Sequence, residues 1–596
     1  MQSLAAKLIQ DRLVPPHIML QVLAHHGAHH RHLADMLLAR RAVSAELLYD
    51  AIAEHWEVGR VDLVALPPDP RLTAQFNHVT ALRDGLLPWR KVGQATVIVT
   101  AYPDLFTRHR AWLEESFGPV AMAVAPLPHI ETALLAAHGT QLAQAAETRV
   151  PALESCRAYH STTLQRPAAI LAAIIGIFAL FQPVAALVVL FAVALTAMFS
   201  ANVMKLIALI LMHRPTSESR NSATIAQLPM VSVMVALYRE SNIATKLAAR
   251  LDRLEYPRDL LDILLVVEQE DQMTRNALDT SDLPGWMRVI VVPDGTVKTK
   301  PRALNYALDH CRGSIVGIYD AEDAPEPDQI RKIVERFRQC GPEVVCLQGQ
   351  LDYYNPRSNW LSRCFTIEYA SWFRMFLPGI ARMGMAIPLG GTTLFFRRTA
   401  LEELGGWDAQ NVTEDADLGL RLFRHGYRTE LINTTTFEEA NCRSFPWVKQ
   451  RSRWIKGYMM TWITHMRDPG LLWQQLGPRC FIGFQVQFLG SILQTLMAPL
   501  LWSLWMIPLG LHHPLPVVIG TTGFNLLYFA MLATTVLTIG FDIAGMRRTR
   551  HGLNPLWAVT LMLYHPLATL AAYKALWELM TKPFYWDKTS HGHFDA

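Results

Sequence analysis

The chain has 596 residues, 51% of them hydrophobic, and a formal net charge of only +4. At roughly 150 residues per domain that length implies several units, and so small a net charge excludes the broad basic field of a nucleic-acid binder. The seven cysteines are scattered, without a C-x-x-C pair, which argues against a disulfide framework or a zinc site and for a reducing compartment.

The first segment, Met1–His17, is amphipathic with charges throughout and lacks the apolar core of a signal peptide. Residues 3–26 align with residues 32–55, pairing Leu4 with Leu33, Leu8 with Leu37, Val14 with Val43 and His26 with His55. Each copy reads as helix, short turn, helix. His25, His26, His29, His30 and His32 fall in the link between copies without a supporting Cys or Asp, so they read as a solvated loop. Residues 85–118 then read as strand, turn, strand, helix, and 120–139 as strand, helix. A polar linker follows over about 140–165.

Pro167–Met212 is almost wholly apolar. It is too long for one membrane span of about 20 residues. Gln182-Pro183 offers a turn, which predicts two spanning helices at about 167–183 and 184–205. The basic flanks Arg166 and Arg214 put both ends in the cytoplasm.

The next segment carries acids, cations and aromatics in a chemically suggestive order. A strand and turn are expected over 229–241, and a second strand over 262–273 that ends in Glu268, Glu270 and Asp271. A basic loop runs into a helix over 297–308, with Lys298, Lys300 and Arg302 at its start, where cations and a helix N-terminus favour phosphate. Ile315–Tyr319 has the length of a buried strand and delivers Asp320, Glu322 and Asp323 to its carboxyl end, where open α/β sheets bind ligands. Carboxylates there suit a hard divalent cation, Mg²⁺ or Mn²⁺, that neutralises a diphosphate. A buried strand is expected over 343–355. Residues 359–384 are aromatic and Met-rich but too interrupted to span a membrane, and 388–398 read as a Gly-Gly turn and a strand. Thr413-Glu414-Asp415 opens a helix-like run, and one of its carboxylates can act as a general base. Gln450-Arg451-Ser452-Arg453-Trp454 adds a cation and a large aromatic face.

Beyond Trp454 the chain becomes apolar again. Residues 455–466 read as an interfacial segment, and Phe481–Leu509 and Val517–Ile539 as spans. The uncharged loop between them is expected outside, and Met546-Arg547-Arg548-Thr549-Arg550 inside. Leu553–Met580 is interrupted by His565-Pro566 and carries Lys574 and Glu578, so it reads as a fifth crossing or as a re-entrant or interfacial hairpin, with the hairpin slightly favoured.

The acidic motif, Thr413-Glu414-Asp415 and Gln450-x-x-Arg453-Trp454, in this order, resemble the family 2 glycosyltransferases, above all the membrane-embedded processive synthases of the cellulose, chitin and hyaluronan type. Where that family has Asp-x-Asp, this chain has Asp320-Ala321-Glu322-Asp323, so the second metal acid is Glu322 or Asp323. The resemblance implies a GT-A-like α/β domain with a Rossmann-type mixed sheet over 225–450, inserted between transmembrane helices, with an interfacial helix near 359–384. It implies further interfacial helices, two or three transmembrane helices and a cytoplasmic tail over 451–596. It assigns metal binding to Asp320 with Glu322 or Asp323. Asp415, beside Glu414 and Thr413, becomes the base. Glu268, Glu270, Lys300, Asn305 and Arg453 go to the nucleotide sugar, and Gln450 and Trp454 to the acceptor. The tail from Trp586 to Gly592 resembles the Trp-x-Lys-Thr-x-His-Gly ending of related bacterial synthases.

The implied activity is inverting transfer from a UDP-sugar into an exopolysaccharide, with translocation through the enzyme's own helices in a bacterial inner membrane. The N-terminal and catalytic domains would be cytoplasmic. Its alternatives are transfer of one sugar to a lipid-linked acceptor, or a signalling scaffold with an inactive transferase core. Residues 1–142 resemble the α+β N-terminal domain of type II secretion and pilus ATPases, the MshEN type, followed by a linker at 143–166 and a membrane hairpin at 167–212. That family can grip cyclic di-GMP through an Arg-Leu-Gly opening each repeat. Here the repeats open Ser3-Leu4-Ala5 and His32-Leu33-Ala34. The expectation is a regulatory or partner-binding module with weak or no affinity for cyclic di-GMP. The remaining expected partners are the donor, the growing polysaccharide and membrane lipids, with no nucleic acid.

Overall fold

The computed structural model describes residues 3–29, 32–212, 228–240, 243–281, 283–507 and 510–586. His30, Arg214 and most of the Trp586–Gly592 tail lie outside them. The chain forms two compact units. One comprises Met1–Arg149, Ser222–Ala321 and Phe396–Glu402, the other Val150–Asn221, Glu322–Phe395 and Glu403–Ala596.

The first unit begins with the duplicated helix pair, as Leu4–Gln10 and Pro16–His29, then Leu33–Ala39 and Ala45–Trp56. Ser3 and Ser44 cap two of these helices by accepting from the Ala6 and Leu47 amides. The matched leucines Leu8 and Leu37 are both fully buried. The expected histidine loop is largely helix, since Pro16–His29 runs through His25, His26 and His29. His32 sits just before the next helix and stacks on Tyr102 at 3.9 Å. A four-stranded sheet follows, in the order Gly59–Arg60, Val120–Val124, Ala95–Thr100, Leu86–Val92, antiparallel only between the last two. After Val124 a helix runs from Leu127 through a kink at His138 to Thr148, well into the stretch expected as linker. Its LAQAAE sequence is composed of strong helix formers.

The same unit carries parallel strands in the order Met287–Val292, Leu261–Glu268, Val231–Leu237, Ile315–Tyr319. Leu261–Glu268 is buried along its whole length, as a parallel strand covered on both faces must be. Glu268 ends its strand, and Asp320 follows Tyr319 directly.

In the second unit Val344–Tyr353 pairs in parallel with Arg428–Glu438, which pairs antiparallel with Ala324–Pro325. Residues 360–382 form a helix, a π turn over Trp372–Phe376 and a second short helix. Ser444–His465 is one helix of 22 residues, so the Gln450–Trp454 motif and the segment expected as a separate interfacial stretch are continuous.

Among the described residues, three helical stretches in this unit are long and apolar enough to cross a membrane: Pro183–Met212, Leu515–Met546 and Pro555–Thr581. Gln165–Phe181 is a shorter apolar helix. Two expectations change. Phe481–Leu509 is not one continuous helix: it runs through a π turn over Gln485–Gly490 to Leu496, breaks at Met497 and restarts at Ala498 with Pro499 in its first turn, and residues 508–509 lie outside the described residues. Leu553–Met580 is not a hairpin. A 3₁₀ turn at Pro555–Thr560 leads into a continuous helix, Leu561–Thr581, that accommodates Pro566. Its charges are compensated rather than solvated. Glu578 is buried, pairs with Lys574 one turn back, and accepts from Lys456 of the neighbouring helix at 3.0 Å.

Candidate active site

In the first unit the candidate donor residues cluster at the carboxyl ends of two strands. Asp320, its side chain 31% exposed, pairs with Lys300, the first residue of helix Lys300–Leu308. Lys298 pairs with Glu270. Arg302 is fully buried and pairs with Glu268. Burial raises the Glu268 carboxyl above its ordinary pKa, and Arg302 only partly offsets that. The three cations of the basic loop are therefore each matched to an acid. Asn305 is buried, its amide donating to the Ala146 carbonyl at 2.9 Å. Asp271 is a helix cap. It accepts from the Thr274 amide (3.1 Å), the Thr274 hydroxyl (2.6 Å) and the Arg239 amide (2.5 Å).

In the second unit Glu414 and Asp415 open helix Glu414–Arg424, whose first turn holds three acids, a favourable placement against the helix dipole. Thr413 and Glu414 are buried, and Asp415 is half-buried. Asp415 Oδ2 lies 3.3 Å from where a Cβ on Gly391 would begin, so the Gly390-Gly391 turn leaves room beside the carboxylate. The Tyr458 phenol is pushed well up, first by burial and then by the charge of Asp415. Helix Ser444–His465 presses on this corner through Gly457, where a Cβ would fall 2.0 Å from Thr413 Oγ1. One turn along, fully buried Asp417 accepts from Arg421 at 2.9 Å and sits 2.9 Å from His465 Nε2, tying the two helices together. Burial opposes the charge of Asp417, yet the His465 hydrogen bond and Arg421 outweigh it and hold its carboxyl below the ordinary range.

The Gln450–Trp454 motif lies on the same helix. Gln450 accepts from Asn441 at 2.8 Å, and the Arg453 guanidinium lies 4.6 Å from the Trp586 ring. Trp454 is half-buried among Phe365 (6.0 Å) and Tyr369 (6.1 Å), with the Arg451 guanidinium 4.7 Å from its ring. Sequence reasoning passed over Arg451, which donates to Glu368 at 2.5 Å while the Tyr564 hydroxyl donates to the same carboxylate at 2.7 Å. Only spatial contact could have revealed that trio.

Asp320, in the first unit, is a carboxylate of the kind that suits a divalent cation at a diphosphate. Asp320 is accessible, Glu322 is half-buried, and Asp323 is fully buried and bonded by the Thr392 hydroxyl. Among the described residues no group of three or more His, Cys, Asp or Glu forms a cage. Mg²⁺ and Mn²⁺ at phosphate sites need only one or two carboxylates, with phosphate oxygens and water completing the shell.

Residues 229–457 match the family described as glycosyltransferase like family 2. The chain is 27% identical over 425 residues to the beta-monoglucosyldiacylglycerol synthase of Synechocystis sp., covering 67% of this chain and 82% of that one. Among solved structures, a Pyrobaculum calidifontis mannosyltransferase in complex with GDP-Man and Mn²⁺ aligns with a TM-score of 0.44 at 19% identity, over 65% of this chain and 99% of that one. MshE with cdg aligns with a TM-score of 0.20 at 20% identity, over 22% of this chain and 96% of that one. Residues 229–457 are therefore a family 2 glycosyltransferase domain.

Proposed function

We propose that this glycosyltransferase is a multi-pass protein of the bacterial inner membrane that extends a polysaccharide from a nucleotide sugar and passes the product through its own helices. The observation that carries this reading is the company Asp415 keeps. The carboxylate, the Gln450–Trp454 helix and the three membrane-length helices all belong to one compact unit. A base and a stacking aromatic in the same unit as membrane-length helices suit an acceptor that stays at the membrane.

Asp415 accepts the proton of the acceptor hydroxyl as that oxygen attacks the anomeric carbon, opposite the departing nucleoside diphosphate. The product is inverted at that carbon. Lys300 and Arg453 stabilise the leaving charge. Trp454 stacks on the terminal sugar of the acceptor, and Gln450 orients it. Asp320, with Glu322 or Asp323, would hold Mg²⁺ or Mn²⁺, which when bound neutralises the diphosphate. Glu268, Glu270 and Asn305 shape the nucleotide end, Glu268 through its pair with Arg302. Thr413 and Glu414 seat the base at the start of its helix.

The N-terminal segment is, on this reading, an MshEN-like regulatory module. Ser3 is spent as a helix cap and His32 stacks on Tyr102, so neither replaces the missing arginine. Calorimetry with cyclic di-GMP should show weak or no binding. A micromolar fit would overturn that part.

The name of the Synechocystis relative favours a second reading, transfer of one sugar to diacylglycerol. Purified protein in lipid nanodiscs, supplied with Mn²⁺ and a panel of UDP- and GDP-sugars with and without diacylglycerol, separates the two. Nucleoside diphosphate release with a high-mass glycan supports the synthase, and a glycosyl-diacylglycerol as the only product supports the second reading. No release from any donor would refute both.

A further inference from the structure

We propose that the N-terminal module positions the donor-phosphate loop, with Glu147 as the positioning residue. This rests on the reading of the basic loop as the diphosphate site. Glu147 lies in the last turn of helix Leu127–Thr148 and is buried. A buried carboxylate in a last turn faces both desolvation and the negative end of the helix dipole, so other contacts must compensate it. Those contacts all come from the basic loop and the helix it opens. Glu147 Oε1 accepts from the Val297 amide at 3.0 Å, and Oε2 from the Thr296 hydroxyl at 2.5 Å. The Arg302 guanidinium, fully buried, lies 3.7 Å from Oε1 and pairs on its other side with Glu268.

The loop closes tightly over this arrangement. A Cβ at Gly295 would fall 2.0 Å from Arg302 Nη1 and 2.5 Å from Glu147 Oε1, so any larger residue would have to displace both groups. The neighbouring contacts lock the same junction. Asn305 donates to the Ala146 carbonyl at 2.9 Å, and Arg149 pairs with Asp309 at 2.8 Å. Further along the module, Arg40 pairs with Asp259 at 2.5 Å, Arg83 with Glu402 at 2.5 Å, and Arg288 lies 3.6 Å from Glu131. Such polar docking can be biased by a partner or ligand of the module more readily than an apolar interface. Glu147 itself touches no reacting group. It acts through Arg302 and the 295–297 backbone, which set where Lys298 and Lys300 are presented.

The test uses the full-length protein in nanodiscs and measures the affinity for UDP and GDP with Mn²⁺ by calorimetry, alongside steady-state kinetics. Loss of a charge-assisted buried contact of this kind corresponds to about tenfold to hundredfold in an equilibrium constant. Glu147→Ala should weaken nucleotide binding and raise the donor KM by about tenfold with kcat held within a factor of about two. A merely structural role would not separate KM from kcat in this way. Glu147→Gln keeps an acceptor for the Val297 amide but loses the charge facing Arg302, and should fall between wild type and Ala. It decides the matter alone if the Ala variant does not fold. Wild-type affinity in the folded Glu147 variants, with weakened binding in Lys300→Ala, would overturn the positioning role. Wild-type affinity in Lys300→Ala would overturn the donor-loop reading and this proposal with it.

Discussion

The two units hold their chemistry in different ways. In the first, the charged loop is organised by acid–cation pairs that grade from exposed to buried: Lys298 with Glu270, Lys300 with Asp320, and Arg302 with Glu268. The outer lysines can exchange an acid for a phosphate oxygen at little cost, since exposed pairs are worth only about 0–1 kcal/mol. In the second, Asp415 is mounted on a helix pinned from behind by Asp417, Arg421 and His465, all buried, and by the close approach of Gly457 to Thr413. A donor site must accept and release a multiply charged nucleotide. A base must hold one position relative to a hydroxyl. The contrast between exchangeable and buried ion pairs matches those two tasks.

The largest effect should come from the base. Asp415→Asn keeps size and hydrogen bonding but removes the proton acceptor, and turnover should fall by about 10²–10⁴-fold. Nucleotide affinity should stay at the wild-type value, and calorimetry beside a turnover assay checks both. Next, breaking the buried pair behind the base by Asp417→Ala should destabilise the protein by about 3–5 kcal/mol, read as a lower denaturation midpoint, whereas Lys298→Ala in the first unit should barely move it. If the two variants lost equal stability, the contrast between the units would be wrong.

Trp454→Ala should leave a folded protein that still hydrolyses the nucleotide sugar but makes little polymer, since stacking that orients the acceptor is lost. The Arg451–Glu368–Tyr564 contacts hold the neighbouring structure without that ring. If Trp454 instead serves as a core aromatic, the variant should lose about 3–5 kcal/mol of stability. The smallest effect concerns pH. The folded Asp417 carboxyl is depressed, so its stabilisation is present above the ordinary carboxylate range near 3.9 and drains away as pH falls through the lower folded value. Denaturation midpoints should therefore decline below about pH 4, and less steeply in Asp417→Asn.

Much of this was legible in the residues. The strand end at Tyr319 and the helix start at Glu414 were readable because apolar runs and acids at a helix N-terminus are local signals, whereas the strand expected over 262–273 stops at Glu268 and gives way to a helix at Gln272. What stayed hidden was tertiary. Nothing near Lys298, Lys300 and Arg302 distinguishes the exposed cations from the buried one, and the acid that meets Arg302 from the module lies in a stretch whose polarity resembled a linker. Lys574 and Glu578 looked like a reason to break a helix, yet they pair along it and Lys456 completes the set. Pro566 looked like a turn and sits inside a continuous helix.

The most direct measurement is the number of sugars transferred per acceptor. Wild-type protein in nanodiscs is given a radiolabelled nucleotide sugar with Mn²⁺, and released nucleoside diphosphate is compared with the number of product chain ends. A synthase whose base and aromatic platform share a unit with membrane-length helices should release many nucleoside diphosphates per chain end and retain the chain in the protein until it is long. A ratio of one, with the label in a lipid-sized product, would contradict polymer synthesis and assign the same site to single-sugar transfer.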